Sequence, residues 1–575
     1  MPKTKKVQAP WLKSYKKIKK NCKYPTGSMY DALMKACEQW PDNMAYNYFG
    51  TKVSYSEFLA IVEDAARGFV SLGAKKGETI SVCAPNTPEA IAAIYAINKI
   101  GCVASVFHPL SAPNEIRDNL NLVGSNLFVA IDVAWENIKP ILAETKVERT
   151  IIISAADSLP MIPKIGYKVL KVKELQKELV NILTKNEGTM NWDEFLGAGR
   201  YVVGAAHEKM DVDDVAIILY SGGTTGKSKG IALSNLSFNA CAKQAKTFFS
   251  DVVVPGATML GILPIFHGFG LGVGVHTSLT NGMGVILVPK FDASKFDRLL
   301  AENKPNLIIG VPSLFEAMLK NKKIRKMDLS FIHVLMSGGD SLSPKLKHEV
   351  DEFLSKNGAR TKLLQGYGLT ESLACVCANP LHMQRDGAIG IPFPDMYMKV
   401  VEPNSPITKK PGEIGEVVIS GPTLMKGYLN NVKETNETLQ MHDDGRIWLH
   451  TGDMGYMDKD GWIYFASRLK RMIISNGYNI YPNEVETAIL SVPEVLIATV
   501  VGVDDKARGQ IAKAFVVLKE GEKPSEEIRE KIHEACKMNL AKYKWPRQIE
   551  FRATLPKTKL NKIAYRDLQD ESNKK

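Results

Sequence analysis

Glycines, hydroxyl side chains and lysines are concentrated between Tyr220 and Gly230, which reads Tyr-Ser-Gly-Gly-Thr-Thr-Gly-Lys-Ser-Lys-Gly. The apolar residues 215–219 precede this segment and predict a buried strand. Glycines let the backbone approach a ligand and point N–H groups at it, hydroxyls donate hydrogen bonds, and lysines supply positive charge. The composition therefore indicates a loop that binds phosphate.

Two other interpretations of this loop have to be weighed. A P-loop requires a glycine separated by four residues from Gly-Lys-Ser/Thr and runs directly into a helix. Gly226-Lys227-Ser228 fits the end of that pattern, but Ser221 stands where the first glycine belongs. Residues 230–233 look extended, and the next helix start is predicted at Ser234. A P-loop is therefore only a near match, and a plain polar turn does not explain so many donors in succession.

A second group of residues suited to nucleotide chemistry is Gln365-Gly366-Tyr367-Gly368-Leu369-Thr370-Glu371. The Tyr367 ring can stack on adenine, and the Thr370 hydroxyl can donate to a phosphate oxygen. Glu371 is an oxygen ligand suited to Mg²⁺, which takes one or two protein carboxylates together with substrate phosphates. A turn that caps a helix would explain the glycines and Thr370, but not the whole combination.

These stretches resemble, in order, the motifs of the adenylate-forming superfamily, which includes acyl-CoA synthetases, luciferases and peptide-synthetase adenylation domains. The resemblance runs from the phosphate loop nearly to the C-terminus. It implies that adenine lies against Ser337-Gly338-Gly339-Asp340 and that the ribose hydroxyls meet the Asp453 of Thr-Gly-Asp, with Arg468 as second contact. The implied nucleotide-binding residues are Ser221, Gly222, Gly223, Thr224, Thr225, Gly226, Lys229, Gly338, Gly339, Asp340, Gln365, Gly366, Tyr367, Gly368, Thr370, Asp453, Arg468 and Lys562.

The same resemblance implies the catalytic residues Lys562, Thr370, Glu371 and His267, with Glu371 as the Mg²⁺ ligand. His267 belongs to Pro-Ile-Phe-His-Gly, beside the carboxylate; without the resemblance, a core histidine would be the better interpretation. Lys470 takes the hinge position and Gly477 the position next to the pantetheine arm of CoA. The chain departs from the family at Ser467, where Gly or Asp is usual before the arginine, and at Asn561, where Gly is usual before the lysine.

Composition narrows the class of protein. Its 575 residues are 45% hydrophobic and 24% charged, which is typical of a globular protein with several structural units. Eight scattered cysteines form no Cys-x-x-Cys set, so neither zinc nor a disulfide framework is predicted, and a reducing compartment, the cytoplasm, is expected. Nine lysines in residues 1–23 account for most of the net charge of +12. No nucleic-acid partner is expected.

Two segments raise the question of membrane contact. In the basic tail, Trp11, Leu12, Tyr15 and Ile18 fall near one helical face among lysines. This pattern fits a membrane-surface segment or, alternatively, a solvated and partly ordered terminus. Residues 252–289 contain no Asp, Glu, Lys or Arg, but their eight glycines favour a packed interior helix or a pocket wall over a membrane span.

Helix and strand patterns alternate after the tail, which predicts an α/β fold with mostly parallel sheets and helices on their faces. Short extended runs between Gly and Pro turns predict a small β-rich subdomain at about 388–469. After Lys470 the pattern predicts a compact α+β domain, and the resemblance implies that this domain is mobile. The predicted domains are a basic tail at 1–25, a large domain at 26–469 and a small C-terminal lid at 470–575.

The predicted function is ATP-dependent activation of an apolar carboxylate, with a fatty acid as the expected substrate. The acyl-adenylate then passes to CoA, so ATP, Mg²⁺ and CoA are the expected cofactors and co-substrates. One alternative is transfer to a carrier protein or another thiol. An alternative of another class is a catalytically silent nucleotide-binding protein of the same fold. Acyl chain length and oligomeric state do not follow from the sequence.

Overall fold

The computed structural model describes residues 7–160, 188–204, 207–222, 228–476, 478–505, 508–557 and 563–574. The chain divides into two compact units. The first consists of Met1–Tyr397 and Ser420–Leu449, and the second of Met398–Ile419 and His450–Lys575. The domain limits inferred from the sequence stay a prediction; the boundary expected after residue 469 lies inside the second unit.

Strands and helices alternate along the described chain. The strands are β1 Met44–Tyr48, β2 Thr51–Ser54, β3 Thr79–Cys83, β4 Val103–Val106, β5 Leu127–Ile131, β6 Arg149–Ile153, β7 Thr189–Asn191, β8 Val215–Gly222, β9 Ser228–Ser234, β10 Thr258–Gly261, β11 Gly284–Leu287, β12 Leu307–Gly310, β13 Val334–Ser337, β14 Leu363–Gly368, β15 Cys375–Ala378, β16 Ala388–Pro392, β17 Tyr397–Val401, β18 Gly415–Ser420, β19 Gly427–Tyr428, β20 Leu439–Met441, β21 Ile447–Met457, β22 Ile463–Arg468, β23 Ile473–Ser475, β24 Tyr478–Ile480, β25 Val495–Asp505, β26 Gly509–Leu518 and β27 Gln548–Phe551. The α-helices are α1 Met29–Gln39, α2 Tyr55–Ser71, α3 Pro88–Lys99, α4 Pro113–Val123, α5 Trp135–Ile138, α6 Trp192–Ala198, α7 Asn235–Phe248, α8 Thr277–Leu279, α9 Phe296–Asn303, α10 Pro312–Lys320, α11 Pro344–Lys356, α12 Val432–Thr438, α13 Pro482–Leu490, α14 Glu526–Asn539 and α15 Tyr565–Asn573.

Two mostly parallel sheets form the first unit. In one, strands follow the order β16-β15-β14-β13-β12-β10-β11-β1-β2, and every pair from β14 to β1 is parallel. In the other, the order is β19-β9-β8-β4-β3-β5-β6-β7, with parallel pairing from β8 to β7. The α/β class predicted from the alternating pattern is confirmed.

The helices of this unit begin where their local sequence indicates. Ser54 accepts from the Glu57 N–H and the Glu57 carboxylate accepts from the Ser54 N–H, so a capping box starts α2. Thr87 caps α3 with Pro88 at the first helical position. Ser234 caps α7, directly after the extended β9.

The uncharged segment 252–289 forms part of the interior of the first unit. It contributes β10, β11, α8 and a π-helix at Phe269–His276, which contains three of its glycines and is mostly buried. No helix in the described ranges is long and apolar enough to cross a membrane. The predicted interior packing of this segment is confirmed.

An α+β arrangement forms the C-terminal part of the second unit. Strands β23, β25 and β26 are antiparallel, and β27 adds to β26 in parallel. Apolar side chains of α13 and α14 pack on one face of this sheet. Leu568 of α15 packs on the other face against Val501 and Phe515, so both faces are covered.

The described part of the N-terminal tail combines buried aromatic side chains with exposed lysines. Residues Pro10–Tyr15 form a 3₁₀ helix in which Trp11 and Tyr15 are buried. Trp11 packs edge-on against Tyr397, and the Tyr15 hydroxyl donates to the Pro392 carbonyl at 2.8 Å. Trp11 and Tyr15 therefore form no exposed apolar face in the described part of the tail, and contact of its lysines with a membrane surface stays a prediction.

Glycine is required where the loop after Glu371 approaches the glycine-rich segment. A Cβ on Gly268 would lie 1.6 Å from the Leu373 carbonyl oxygen, and a Cβ on Gly368 would lie 1.4 Å from that of Ala374. Both neighbours are backbone atoms, which cannot rotate away. The backbone at Leu373 is itself in the left-handed region, with φ of 67°.

We predict that Gly268→Ala lowers the free energy of unfolding by about 3 kcal/mol or more, at the upper end for overpacked cores. Gly197→Ala is the matched control, because no atom lies within 4 Å of its added Cβ and the residue is in a helix. That control should change stability by no more than about 1 kcal/mol. Chemical denaturation measures both, and equal effects of the two substitutions would contradict the steric argument.

Candidate active site

The predicted phosphate loop connects two antiparallel strands of the first unit. Ser221 of β8 lies opposite Lys229 of β9, and Gly222 lies opposite Ser228. Gly223, Thr224, Thr225 and Gly226 lie outside the described residues. A strand follows the loop and α7 begins only at Asn235, so the P-loop alternative, which requires a helix at this point, is wrong.

Lys229 is held by two side chains that the sequence did not single out. Its ammonium group pairs with the Glu434 carboxylate and lies 5.0 Å from the centre of the Tyr428 ring. Strand β19 places Tyr428 there, because Tyr428 lies opposite Ile231 in antiparallel pairing with β9, and Glu434 follows in α12. A cation over an aromatic face and beside a carboxylate is stabilised by both.

The segment predicted to contact adenine, residues 337–340, lies next to the segment that carries Gly366 and Tyr367. Strands β13 and β14 are parallel with Ser337 opposite Gln365, so Gly338 and Gly366 follow at the same edge of the sheet. A Cβ on Gly338 would lie 3.1 Å from the Phe269 ring, and Gly339 has a φ of 74°. The carboxyl edge of an open α/β sheet is where ligands bind, which agrees with the predicted adenine site.

Asp340 and Tyr367 lie at this edge in different environments. Asp340 is exposed and its carboxylate accepts the Ser341 N–H at 2.8 Å. Tyr367 is half-buried in β14 and lies opposite Cys377. The structure thus brings Gly338, Gly366 and Tyr367 together on adjacent strands.

Thr370 and Glu371 begin a short 3₁₀ helix directly after β14. The Glu371 Oε1 accepts the Tyr428 hydroxyl at 3.0 Å, and the Glu371 carbonyl accepts the Met425 N–H at 2.8 Å. Burial, together with the charge of Glu371, raises the pKa of Tyr428 well above its usual range, so the hydroxyl keeps its proton. No sequence spacing indicates this contact, because the two residues are 57 positions apart.

The surroundings of Glu371 fit its predicted role as a magnesium ligand. Its side chain is half-buried, with one oxygen oriented by Tyr428. Among the described residues, no group of three or more His, Cys, Asp or Glu side chains could hold a metal ion. Mg²⁺ takes few protein carboxylates and completes its shell with phosphate and water, so a single oriented carboxylate such as Glu371 is an appropriate donor.

His267 is half-buried at the turn into the π-helix, where its carbonyl accepts the Leu271 N–H. The segment before it is held by Asn86, a buried residue that the sequence did not indicate. Asn86 Nδ2 donates to the Gly261 and Leu263 carbonyls, and its Oδ1 accepts the Ile265 N–H, all at 2.9 Å. His267 thus follows a segment whose backbone N–H and carbonyl groups are hydrogen-bonded to the side-chain amide of Asn86.

The two predicted ribose contacts lie opposite each other in the second unit. Asp453 of β21 pairs with Arg468 of β22, and the Arg468 Nε lies 3.1 Å from the Asp453 Oδ1. Asp453 is buried, whereas the Arg468 side chain is 60% exposed. The fifteen-residue separation in the sequence is therefore the length of one β-hairpin.

Glu416 supports the loop that carries Asp453. Its carboxylate accepts hydrogen bonds from the His450 Nδ1 and from the Gly452 N–H, both at 2.9 Å, and the Glu416 and His450 side chains are buried. Burial alone would raise the pKa of Glu416, but the hydrogen bonds from His450 and Gly452 outweigh burial and hold it below its usual range. Glu416 therefore stays ionised and fixes the backbone next to Asp453.

The remaining predicted residues belong to the C-terminal part. Lys470 lies in a 3₁₀ helix at Leu469–Arg471. Gly477 and Lys562 lie outside the described residues, although β23 and β24 pair on either side of Gly477. The hinge, CoA-contact and catalytic roles of these three residues stay predictions.

Comparisons with known proteins agree with this arrangement. The family model described as AMP-binding enzyme matches residues 33–429, and the AMP-binding enzyme C-terminal domain matches residues 484–562. The chain is 31% identical to the long-chain-fatty-acid–CoA ligase of Bacillus subtilis over 98% of each chain. The chain belongs to the AMP-binding enzyme family. It is an enzyme of the acid–thiol ligase class, and its family activity is adenylate-forming acyl-CoA ligation.

Solved structures of CoA ligases share the fold. The anthranilate CoA ligase AuaEII, solved with anthranoyl-AMP, aligns with a TM-score of 0.81 at 22% identity, covering 96% of this chain and 98% of the other. The o-succinylbenzoate CoA synthetase of Bacillus subtilis, solved with its acyl-adenylate, aligns with a TM-score of 0.73 at 26% identity, covering 94% and 98%. The predicted large N-terminal and smaller C-terminal parts of the fold are confirmed.

We predict that Glu416→Ala weakens AMP binding roughly 10-fold, because the buried His450 and Gly452 groups lose their acceptor at a cost of about 1–3 kcal/mol. Glu416→Gln keeps an acceptor oxygen and should retain most of the affinity. Glu413→Ala, a more exposed carboxylate nearby, is the control. Isothermal titration calorimetry gives the affinities, and an unchanged affinity for Glu416→Ala would exclude the supporting role.

Proposed function

We propose that this ligase activates a fatty acid with ATP and transfers the acyl group to CoA. The proposal rests on three features that occur in the same unit. They are strands β8 and β9 on either side of the predicted phosphate loop, the Glu371 carboxylate oriented by Tyr428, and Gly338 and Gly366 at one edge of the sheet. The reaction uses ATP, Mg²⁺ and CoA. Other members of the fold act on different acids, so the fold alone does not indicate the substrate. The fatty-acid assignment is supported by the relative from Bacillus subtilis, which matches along nearly the full length.

The first step joins two anions. A carboxylate oxygen of the acid attacks the α-phosphorus of ATP, the bond to the β-phosphate oxygen breaks, and pyrophosphate leaves with that electron pair. The protein needs no covalent nucleophile for this step. It has to hold the reactants in line and offset their negative charge, which is positioning combined with electrostatic stabilisation.

Residues of the first unit are suited to these tasks. We propose that the hairpin from Ser221 to Lys229 binds phosphate oxygens, that Thr370 donates to the α-phosphate, and that His267 lies beside the carboxylate. Mg²⁺ would be held by Glu371 and would offset phosphate charge. The glycine edge at Gly338 and Gly366, with the Tyr367 ring, would receive adenine.

Residues of the second unit complete the proposed roles. Asp453 would accept hydrogen bonds from the ribose hydroxyls, with Arg468 as the second contact. Lys562 would offset charge as the carboxylate meets the α-phosphate. In the second step the CoA thiolate attacks the acyl carbon, the bond to the phosphate oxygen breaks, and AMP leaves. Lys470 is the proposed hinge between these steps, and Gly477 the proposed contact for the pantetheine arm.

We predict that pyrophosphate and AMP form only when ATP, Mg²⁺ and a carboxylate are all present, and that added CoA yields an acyl-CoA thioester. A panel of carboxylates of increasing chain length, assayed by pyrophosphate release and mass spectrometry, tests both statements. ADP as product, or turnover without carboxylate, would contradict the proposal. An adenylate that persists with CoA but loads a phosphopantetheinylated carrier protein would favour the carrier alternative, and a protein that binds ATP without turnover would favour the silent one.

We further propose that the lysines of the tail contact anionic lipid at the cytoplasmic membrane surface. Lys13, Lys16, Lys17, Lys19, Lys20 and Lys23 are all exposed. The adjacent buried Trp11 and Tyr15 anchor the chain to the body, so the contact would be electrostatic rather than an insertion of aromatic side chains. Each basic residue near such a surface contributes about 1 kcal/mol, and salt weakens the attraction.

We predict that replacing Lys16, Lys17 and Lys19 by Gln abolishes salt-sensitive co-sedimentation with vesicles of phosphatidylcholine and phosphatidylserine. Replacing Lys295, Lys320 and Lys323 by Gln removes the same charge from exposed positions elsewhere and is the control. Substitution is preferable to deletion of the tail, because deletion would remove the buried rings. Equal sedimentation of both variants would overturn the proposal.

A further inference from the structure

The segment Met425–Thr435, here called the bracing segment, contacts both the phosphate hairpin and Glu371. On one side, the Lys426 N–H donates to the Ala232 carbonyl and the Leu429 N–H donates to the Gly230 carbonyl, both at 2.8 Å. On the other side, the Met425 N–H donates to the Glu371 carbonyl. The segment therefore holds the backbone of two motifs that lie far apart in the sequence.

Within this segment, Tyr428 is restrained from several directions. Its backbone belongs to β19, its N–H donates to the Thr435 hydroxyl at 2.9 Å, and the Lys229 ammonium lies over its ring. Lys229 is itself paired with Glu434, whose second carboxylate oxygen accepts the Asn431 amide at 2.9 Å. The ring is thus held in place, and so is the hydroxyl at its end.

The hydroxyl of Tyr428 donates to one carboxylate oxygen of Glu371 at 3.0 Å. A carboxylate that is free to rotate must be ordered each time it binds a cation, whereas one held by a donor is already oriented. Partners that orient a metal ligand in this way typically influence metal affinity 10- to 100-fold. The same ring that contacts the phosphate-loop lysine therefore also orients the carboxylate expected to meet the metal.

We propose that Tyr428 is a positioning residue for magnesium-dependent nucleotide binding, acting through Glu371 and through the placement of Lys229. The inference rests on the proposed function, because Glu371 is assigned to Mg²⁺ there. It adds a residue to that function and links the phosphate hairpin to the metal ligand through one side chain. Tyr428 itself makes no bond to the reacting atoms.

The test is calorimetric binding of the non-cleavable analogue α,β-methylene ATP to the full chain, with Mg²⁺ and with EDTA. Tyr428→Phe removes a single oxygen and leaves the ring under Lys229. We expect roughly 10-fold weaker binding with Mg²⁺ and unchanged binding in EDTA, with a higher half-saturating Mg²⁺ concentration. Tyr48→Phe, which removes a hydroxyl bonded to the Ala155 carbonyl at 2.7 Å, is the matched control.

A double-mutant cycle with Glu371→Gln shows whether the effect passes through Glu371. If it does, Tyr428→Phe has little further effect in the Glu371→Gln background. An equal loss in Mg²⁺ and in EDTA, or a full loss in both backgrounds, would overturn the proposal, and so would unchanged binding by Tyr428→Phe.

Two further measurements keep the result interpretable. Thermal unfolding of each variant shows whether the fold is intact; should Tyr428→Phe be unfolded, Thr435→Ala, which removes the acceptor of the Tyr428 N–H, replaces it and must show the same selective loss with Mg²⁺. If the unsubstituted protein shows no Mg²⁺-dependent binding of the analogue, the proposed function fails. If that protein binds and Tyr428→Phe binds equally, only the inference fails.

Discussion

A steric constraint at Leu373 and Ala374 underlies the arrangement of the first unit. The carbonyl groups of these residues lie where a Cβ on Gly268 or on Gly368 would have to be placed. A side chain would not fit at either position. Only glycine therefore lets the segment after His267 and the end of β14 pack against this short loop. This loop directly follows Thr370 and Glu371. Close packing therefore sets the distance between these two residues, proposed to meet the nucleotide and Mg²⁺, and His267, proposed to lie beside the carboxylate.

Polar groups around the site are satisfied by segments that lie far away in the sequence. Asn86 satisfies three backbone groups before His267, Glu416 satisfies the loop before Asp453, and the bracing segment satisfies the hairpin and Glu371. Buried polar groups left without partners are costly, so each of these contacts fixes a backbone path as well as stabilising it. The groups proposed to meet the substrate are in this way held before it binds, which is what electrostatic catalysis requires.

The tail shows that composition does not determine what its apolar side chains contact. Its lysines and spaced apolar residues fit a membrane-surface helix, yet Trp11 and Tyr15 face the protein. Trp11 packs against Tyr397, and the Tyr15 hydroxyl donates to the Pro392 carbonyl. Periodicity identifies which side chains share a face, but not which surface that face meets. The lysines stay outside, since a charged ammonium is costly to bury without a partner.

The sequence by itself determined the fold class, the helix starts at Ser54, Thr87 and Ser234, and the family, because these depend on local hydrogen bonds, periodicity and ordered motifs. It named Asp453 and Arg468 separately as ribose contacts, and the structure shows that one hairpin pairs them. Only the tertiary structure identified Tyr428, Glu416 and Asn86, whose partners lie 57, 34 and 175 or more residues away. Such contacts depend on how sheets and loops pack in three dimensions, and no local spacing encodes that packing.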